Sequence, residues 1–310
     1  MKFLILSFFA VLFFLQFTSC DHVENPYPKK QEFDTTLYPG IWADYVANEW
    51  PVFDVNTNTD RNVLIEDYTG HKCIVCPAAA DLAHQLHEAN PDRVFIASIH
   101  SSNEGMSEYQ SVSPPEYPTD FTNAQGLEMG TFFGDYDPGF QGNPRGTINR
   151  INTGTIFIGP LAWTNLTNTT LNNNILKVNM QSALNYYPQT KGAFLHVEVE
   201  KIDQSITNEL AVVTYLIEDS LVGDQKMADN SHNSSYIHRD IHRGNIDGKA
   251  FGRILKSSDM KNSKYYLDYT FVVPKQLDGN YNAENMHVLI YVYDRVTWEI
   301  YQVIKQDIVN

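Results

Sequence analysis

Apolar residues recur along this chain with two different periods, and the change from one to the other divides it. Residues 62–69 (NVLIEDYT) begin with a short apolar run bounded by turn residues, which predicts a buried strand. Gly70-His71-Lys72 reads as a turn. From Pro77 to His87, the residues Ala79, Leu82, Ala83 and Leu86 fall on one helical face. Pro77 stands in the first turn of that helix, where a missing N–H leaves no bond unmade. Asn90-Pro91 ends it. Residues 93–100 (RVFIASIH) form a second buried strand, and strand, helix and strand in this order predict a right-handed βαβ unit. Residues 101–141 carry Pro114, Pro115, Pro118 and Pro138 and read as irregular, with a short helix near 121–133. A turn at 142–146 leads to a hairpin made of 147–151 and 155–158. Residues 161–186 read as a polar helical stretch whose buried face comes from Leu166, Leu171, Ile175 and Leu176.

After Pro188 the period becomes two. Leu195, Val197 and Val199 alternate with His196, Glu198 and Glu200. Residues 210–217 are an apolar strand. Leu267, Tyr269, Phe271 and Val273 alternate, as do Val288, Ile290 and Val292, and 298–308 is a last strand. Strands joined by loops over about 120 residues predict an antiparallel β-sandwich. The fold class is therefore α/β followed by β. A length of 310 residues suits two domains at roughly 150 residues each. Their boundary falls between about Tyr187 and Lys191, giving 61–188 and 189–310.

The N-terminus is an address. Met1-Lys2 precedes an apolar run from Phe3 to Leu15, too short to span a bilayer but suited to a secretory signal. Thr18-Ser19-Cys20 then looks like a bacterial lipobox, with cleavage after residue 19 and a lipid on Cys20. The competing reading is an ordinary signal peptide with an incidental cysteine. Residues 20–60, rich in Pro, Asn, Asp and Thr, read as a lipidated tether in which Trp42 and Trp50 offer packing groups. The chain carries 22 basic and 37 acidic side chains, a net charge of −15. Such an acidic surface repels phosphate backbones, so nucleic-acid partners are disfavoured.

Only three cysteines are present, and two of them form Cys73-x-x-Cys76 where a strand passes into a helix. A thiol there feels unpaired N–H groups that stabilise a thiolate, and a second thiol at this spacing can resolve a mixed disulfide. The segment VLIEDYTGHKCIVCP resembles the active-site region of thioredoxin-like proteins. That resemblance implies that Cys73 attacks and is the more exposed thiol, that Cys76 resolves and is buried, and that Asp67, six residues earlier, helps move a proton. It also implies a cis-proline before a hairpin strand and facing the cysteines, a place Pro144 takes in GNPRGTINR. Lys72, Ile74-Val75 and Asn143 depart from the usual residues at their positions. Two other readings stand beside catalysis: an inert structural disulfide, or half of a metal site. His71 would bring the metal ligands only to three, where a structural zinc needs four, so no metal and no cofactor is expected.

The lipobox, VLIEDYTGHKCIVCP, NPRGTINR, YIHRDIHRG and the β-rich C-terminus together resemble the outer membrane protein 28 family of Bacteroidetes-type lipoproteins. The resemblance implies a lipid-anchored outer-membrane protein, facing the periplasm or the surface, with a thioredoxin-like domain followed by an immunoglobulin-like β-sandwich. It implies no settled activity. Thiol–disulfide exchange in the envelope with a protein thiol partner is one function consistent with it. A non-enzymatic module that binds a surface ligand, with Cys73–Cys76 as a staple, is the other. His232, His238 and His242 have metal-like spacing but read as a polar loop. Tyr265, Tyr266, Tyr269, Tyr291 and Tyr293 read as cross-strand packing rather than a ligand platform.

Overall fold

The computed structural model describes residues 33–280 and 282–309. The signal segment and Cys20 lie outside the described residues. The βαβ unit forms where the apolar runs place it. Strand β1 (Val63–Thr69) and strand β2 (Val94–His100) are both buried along their whole length and pair in parallel from Val63↔Val94 to Thr69↔His100. Helix α1 (Trp42–Asn48) precedes them, and helix α2 (Cys76–Ala89) joins them. Ala79, Ala83 and Leu86 of α2 pack on Val63, Ile65, Val94 and Ile96, so the helical stripe meets one face of the two strands. Helix α3 (Ala124–Tyr136) starts at Asn123, whose side chain accepts from the Gly126 N–H at 2.8 Å. Strand β3 (Arg145–Ile148) runs antiparallel to β1, with Tyr68 opposite Arg145 and Ile65 opposite Ile148. The expected partner hairpin at 155–158 is reduced to one bridge, Gly146 to Ile158.

The stretch expected to be helical over 161–186 is helical only as α4 (Trp163–Asn173). Asn174 takes a left-handed conformation, φ 46°, which closes the helix. The chain then becomes strand β4 (Val178–Tyr187), whose buried Val178, Met180 and Leu184 follow a period of two. Strand β5 (Gly192–Lys201) returns against it from Tyr187↔Gly192. The position near 188 expected as a domain boundary thus lies in the turn of the β4–β5 hairpin, between two paired strands of one sheet.

The remaining strands are β6 (Leu210–Glu218), β7 (Leu221–Lys226), β8 (His232–His238), β9 (Ile241–Asn245), β10 (Arg253–Ile254), β11 (Met260–Lys261), β12 (Lys264–Val272), β13 (Met286–Asp294) and β14 (Ile300–Asp307). The segment around His232 and His238, expected as a loop, is therefore a strand that pairs with β7. Among the described residues, one large sheet runs in the order β14-β13-β6-β9-β2-β1-β3, with β10 beside β6. Its strands come from both halves of the chain, joined where Ser98 of β2 lies opposite Ile241 of β9. A second sheet has the order β11-β12-β5-β4. The two sheets sandwich an apolar layer that includes Val178, Leu195, Val197 and Leu267 on one side and Val212, Leu216, Val288 and Ile290 on the other. On the opposite face of the large sheet, Leu64, Ile99, Phe133, Tyr215, Leu289 and Val303 share one core, so both halves bury residues there.

The segment expected as a tether packs from Phe33 onward. Tyr45 is fully buried, and its ring stacks on Trp42 with centroids 4.7 Å apart. The Asn56 side chain donates to the Met180 carbonyl at 2.9 Å, and that of Asn58 to Asn179 Oδ1 at 3.0 Å. Residues 33–60 form a strap on the outer face of the second sheet.

Candidate functional site

Strand β1 delivers its C-terminal end to a tight turn that carries the cysteines. Gly70 sits where a Cβ would come within 2.7 Å of the Tyr109 carbonyl oxygen, so only glycine lets these segments approach. Gln110 reaches in to donate to the Thr69 carbonyl at 2.7 Å. The Asn143 side chain donates to the carbonyls of Tyr68 and Ser101, each at 2.8 Å. These bonds hold the residue before Pro144 at the end of β1 from which the cysteine turn departs. The Asn143–Pro144 peptide is cis. Cys76 is the first residue of α2, and its N–H donates to the Cys73 carbonyl at 3.3 Å.

The two cysteines are joined as a disulfide. Both are 1% exposed, which corrects the expectation of an exposed Cys73 beside a buried Cys76. The cause is the β7–β8 hairpin, a two-stranded ribbon that pairs with neither larger sheet. The Lys226 N–H donates to the His71 carbonyl at 2.8 Å, and the Gln225 amide donates to the Cys73 carbonyl at 3.2 Å. This cover comes from about 150 residues further along the chain, beyond the reach of any local motif.

Beneath the cover lies a cavity of about 30 Å³, lined by Asp67, Cys76, His100, Gln225, Tyr236 and His238 among others. That volume suits about two waters. Asp67 is fully buried, and neither of its carboxyl oxygens has a hydrogen-bond partner. Burial pushes its pKa up to about 7. Phe121 gathers three histidines around the same place, with ring centroids 4.3 Å from His238, 4.8 Å from His100 and 5.5 Å from His71. Burial pushes His71 and His238 down to about 4 and His100 well below its usual range, so all three are neutral near pH 7. The structure thus brings together Asp67, Cys73, Cys76 and the segment of Pro144, all singled out by motif. It adds His100, Gln225 and Tyr236, which no sequence pattern marks, and His238, which was set aside.

The neighbouring residue on β1 lies in a different setting. Glu66 is buried and grips Arg150 through Nε at 2.7 Å and Nη2 at 2.6 Å. It also accepts from Thr147 Oγ1 and the Tyr215 hydroxyl, each at 2.8 Å. The Tyr291 hydroxyl extends the cluster by donating to Tyr215 at 2.8 Å. Burial alone would raise the Glu66 carboxyl, but the Arg150 guanidinium holds it below the usual carboxylate range. Asn149 and Arg150 both have φ of 48°, a left-handed turn that aims the guanidinium inward.

Among the described residues, no group of three or more His, Cys, Asp or Glu side chains is disposed to hold a metal ion. No described helix is long and apolar enough to cross a membrane.

The family to which the sequence belongs makes this an outer-membrane protein. Residues 135–310, more than half of the chain, match the model of the outer membrane protein Omp28 family, and the chain belongs to that family. The cysteine motif lies upstream of the matched residues. No curated protein matches the chain in sequence. Among solved structures, the chain resembles HBP35 of Porphyromonas gingivalis with a TM-score of 0.61 at 15% identity, over 81% of this chain and 76% of that one. This likeness concerns the fold alone. A domain of the outer membrane lipoprotein Omp28 from Porphyromonas gingivalis is 24% identical over 43% of this chain and 89% of that one, with a TM-score of 0.31 too low to bear on the fold.

Proposed function

We propose that this outer-membrane protein is held by a lipid on Cys20 and carries out thiol–disulfide exchange through Cys73 and Cys76. In this reading the first half is thioredoxin-like and the second an immunoglobulin-like sandwich, the two sharing one core. The observation that carries the reading is Asp67. A buried carboxyl with no hydrogen bond from the protein costs the fold stability. A proton acceptor beside Cys76 gives it a use.

In the reduced protein, the Cys73 thiolate attacks one sulfur of a partner's disulfide, and the other sulfur leaves as a thiolate. Asp67 takes the proton of Cys76. The Cys76 thiolate then attacks Cys73 Sγ and expels the partner sulfur bonded to it. The partner's disulfide becomes a dithiol, and Cys73–Cys76 becomes the disulfide. Replacing Cys76 with Ser should leave the mixed disulfide on Cys73, visible as a reductant-sensitive adduct on non-reducing gels of envelope fractions. Cys73→Ser should give none. The absence of any adduct with Cys76→Ser would remove the exchange reading.

A second reading is favoured by the burial of both cysteines, each 1% exposed. In it the disulfide is a staple and the protein is a binding module. Redox titration separates the two: a structural disulfide of an exported protein stays oxidised until the potential falls below about −300 mV, whereas an exchanging one titrates at a higher potential.

A further inference from the structure

The outer face of the second sheet carries a trough of about 370 Å³, on the opposite side of that sheet from the sandwich core. Its volume lies at the lower end of the range for small-ligand sites, about 300–1,000 Å³. Strand β5 supplies the floor through His196 and Glu198, and β12 supplies Tyr266 and Asp268, opposite them in register. The strap forms one wall at Trp50, and Lys261 stands near the other end.

The floor is held rigidly. His196 Nδ1 donates to Asp268 Oδ1 at 2.7 Å, which leaves Nε2 to accept the Tyr45 hydroxyl at 2.7 Å. Glu198 Oε1 accepts from Lys264 at 2.7 Å and from Gln181 at 2.8 Å. The groups on the rim remain open. Trp50, whose ring packs 4.4 Å from His196 and also against Phe33 and Tyr45, is 38% exposed as a residue, and Tyr266 is 43% exposed. Of the five tyrosines in the alternating strands, Tyr266 is the one turned outward, while Tyr265, Tyr269, Tyr291 and Tyr293 are buried. The Asp268 side chain keeps 37% of its surface exposed, so it can accept further hydrogen bonds.

We propose that this trough binds a neutral pyranose oligosaccharide. The electron-rich faces of Trp50 and Tyr266 suit the C–H face of a sugar ring. Asp268 accepts from ring hydroxyls and Lys261 donates to them. Other ligand classes meet an obstacle here. A phosphate or carboxylate ligand would face Glu198 and Asp268. A cationic ligand would have to compete with Lys264 for Glu198 and would face Lys261, and a hydrocarbon would strip water from Asp268 and Lys261 without replacing its bonds. A polyol meets each group with a hydrogen bond and brings no charge.

The test uses the full chain in detergent on an array of neutral oligosaccharides from plant, host and bacterial polysaccharides. Any saccharide retained is then titrated by calorimetry. At least one should bind, and Tyr266→Ala and Lys261→Ala should each weaken it tenfold or more. Both positions are exposed, and unchanged melting of the two variants checks that they fold. A blank array, or full affinity in both variants, overturns the proposal.

Discussion

The two faces of β1 present neighbouring carboxylates to opposite circumstances. Glu66 points into the core shared by both halves and meets the Arg150 guanidinium through two of its nitrogens and two hydroxyls. Asp67 points to the cysteine side and meets nothing that donates. Both are fully buried, so burial alone does not separate them. A carboxylate that holds a fold together is one whose oxygens are accounted for, as those of Glu66 are. A carboxyl that weakens the fold without a bond from the protein is a candidate for a chemical role instead.

The largest effect should come from breaking the satisfied side. Arg150→Met leaves Glu66 buried and without its cation, which typically costs about 3–5 kcal/mol. Urea denaturation should show this loss, and adding Glu66→Gln should recover part of it. A loss under about 1 kcal/mol would mean that Glu66 is no better supported than Asp67.

The next effect concerns Asp67 and depends on pH. Its folded pKa of about 7 lies above the ordinary aspartate value of 3.8, so between these values the folded state holds a proton that the unfolded state has lost. The stability given by the neutral carboxyl is fully present below about pH 4 and is lost as pH rises through 7. Asp67→Asn should therefore gain on the natural protein as pH rises, by up to about 4 kcal/mol at pH 8. His71 and His238, both near 4, act in the other direction and weaken the fold as pH falls below about 6.5. Asp240, pushed up to about 7 by burial and by Asp219, acts like Asp67. These groups are common to both proteins, so the difference between two urea series isolates Asp67. A flat difference from pH 5 to pH 8 would place Asp67 with Glu66.

The smallest effect concerns the cover. Gln225→Ala removes the bond to the Cys73 carbonyl, worth about 1 kcal/mol net, which corresponds to roughly fivefold more frequent opening. The rate of disulfide reduction by dithiothreitol should rise by that factor. An unchanged rate would show that reduction does not wait on the hairpin.

Much of the cysteine side was legible in the sequence, because its elements follow one another in order. Asp67, Cys73, Cys76 and Pro144 lie on a βαβ unit and the strand after it, and periodicity finds those elements. The satisfied side was not legible. Glu66 meets Tyr215 across 149 residues and Arg150 meets Tyr291 across 141, and a single sequence carries no sign of such pairings. Local chemistry misled in two places. The Asn-rich run before β4 hides an alternation whose apolar members are only Val178, Met180 and Leu184. The polar residues of β8 look like a loop because most of that strand faces solvent, and in it only His238 turns fully inward.

The position of the covering hairpin in the chain also sets an order of events during synthesis. Cys73 and Cys76 are three residues apart and leave the ribosome almost together. The strands that will seal them follow about 150 residues later, which at about 5–20 residues per second is an interval of roughly 7–30 s. Across that interval the two sulfurs are open to whatever oxidant or reductant the newborn chain meets. Once β7 and β8 have packed, reagents reach the two sulfurs only when the hairpin opens. The hairpin thus divides the life of the disulfide into an early period of free access and a later one in which access waits on a local opening.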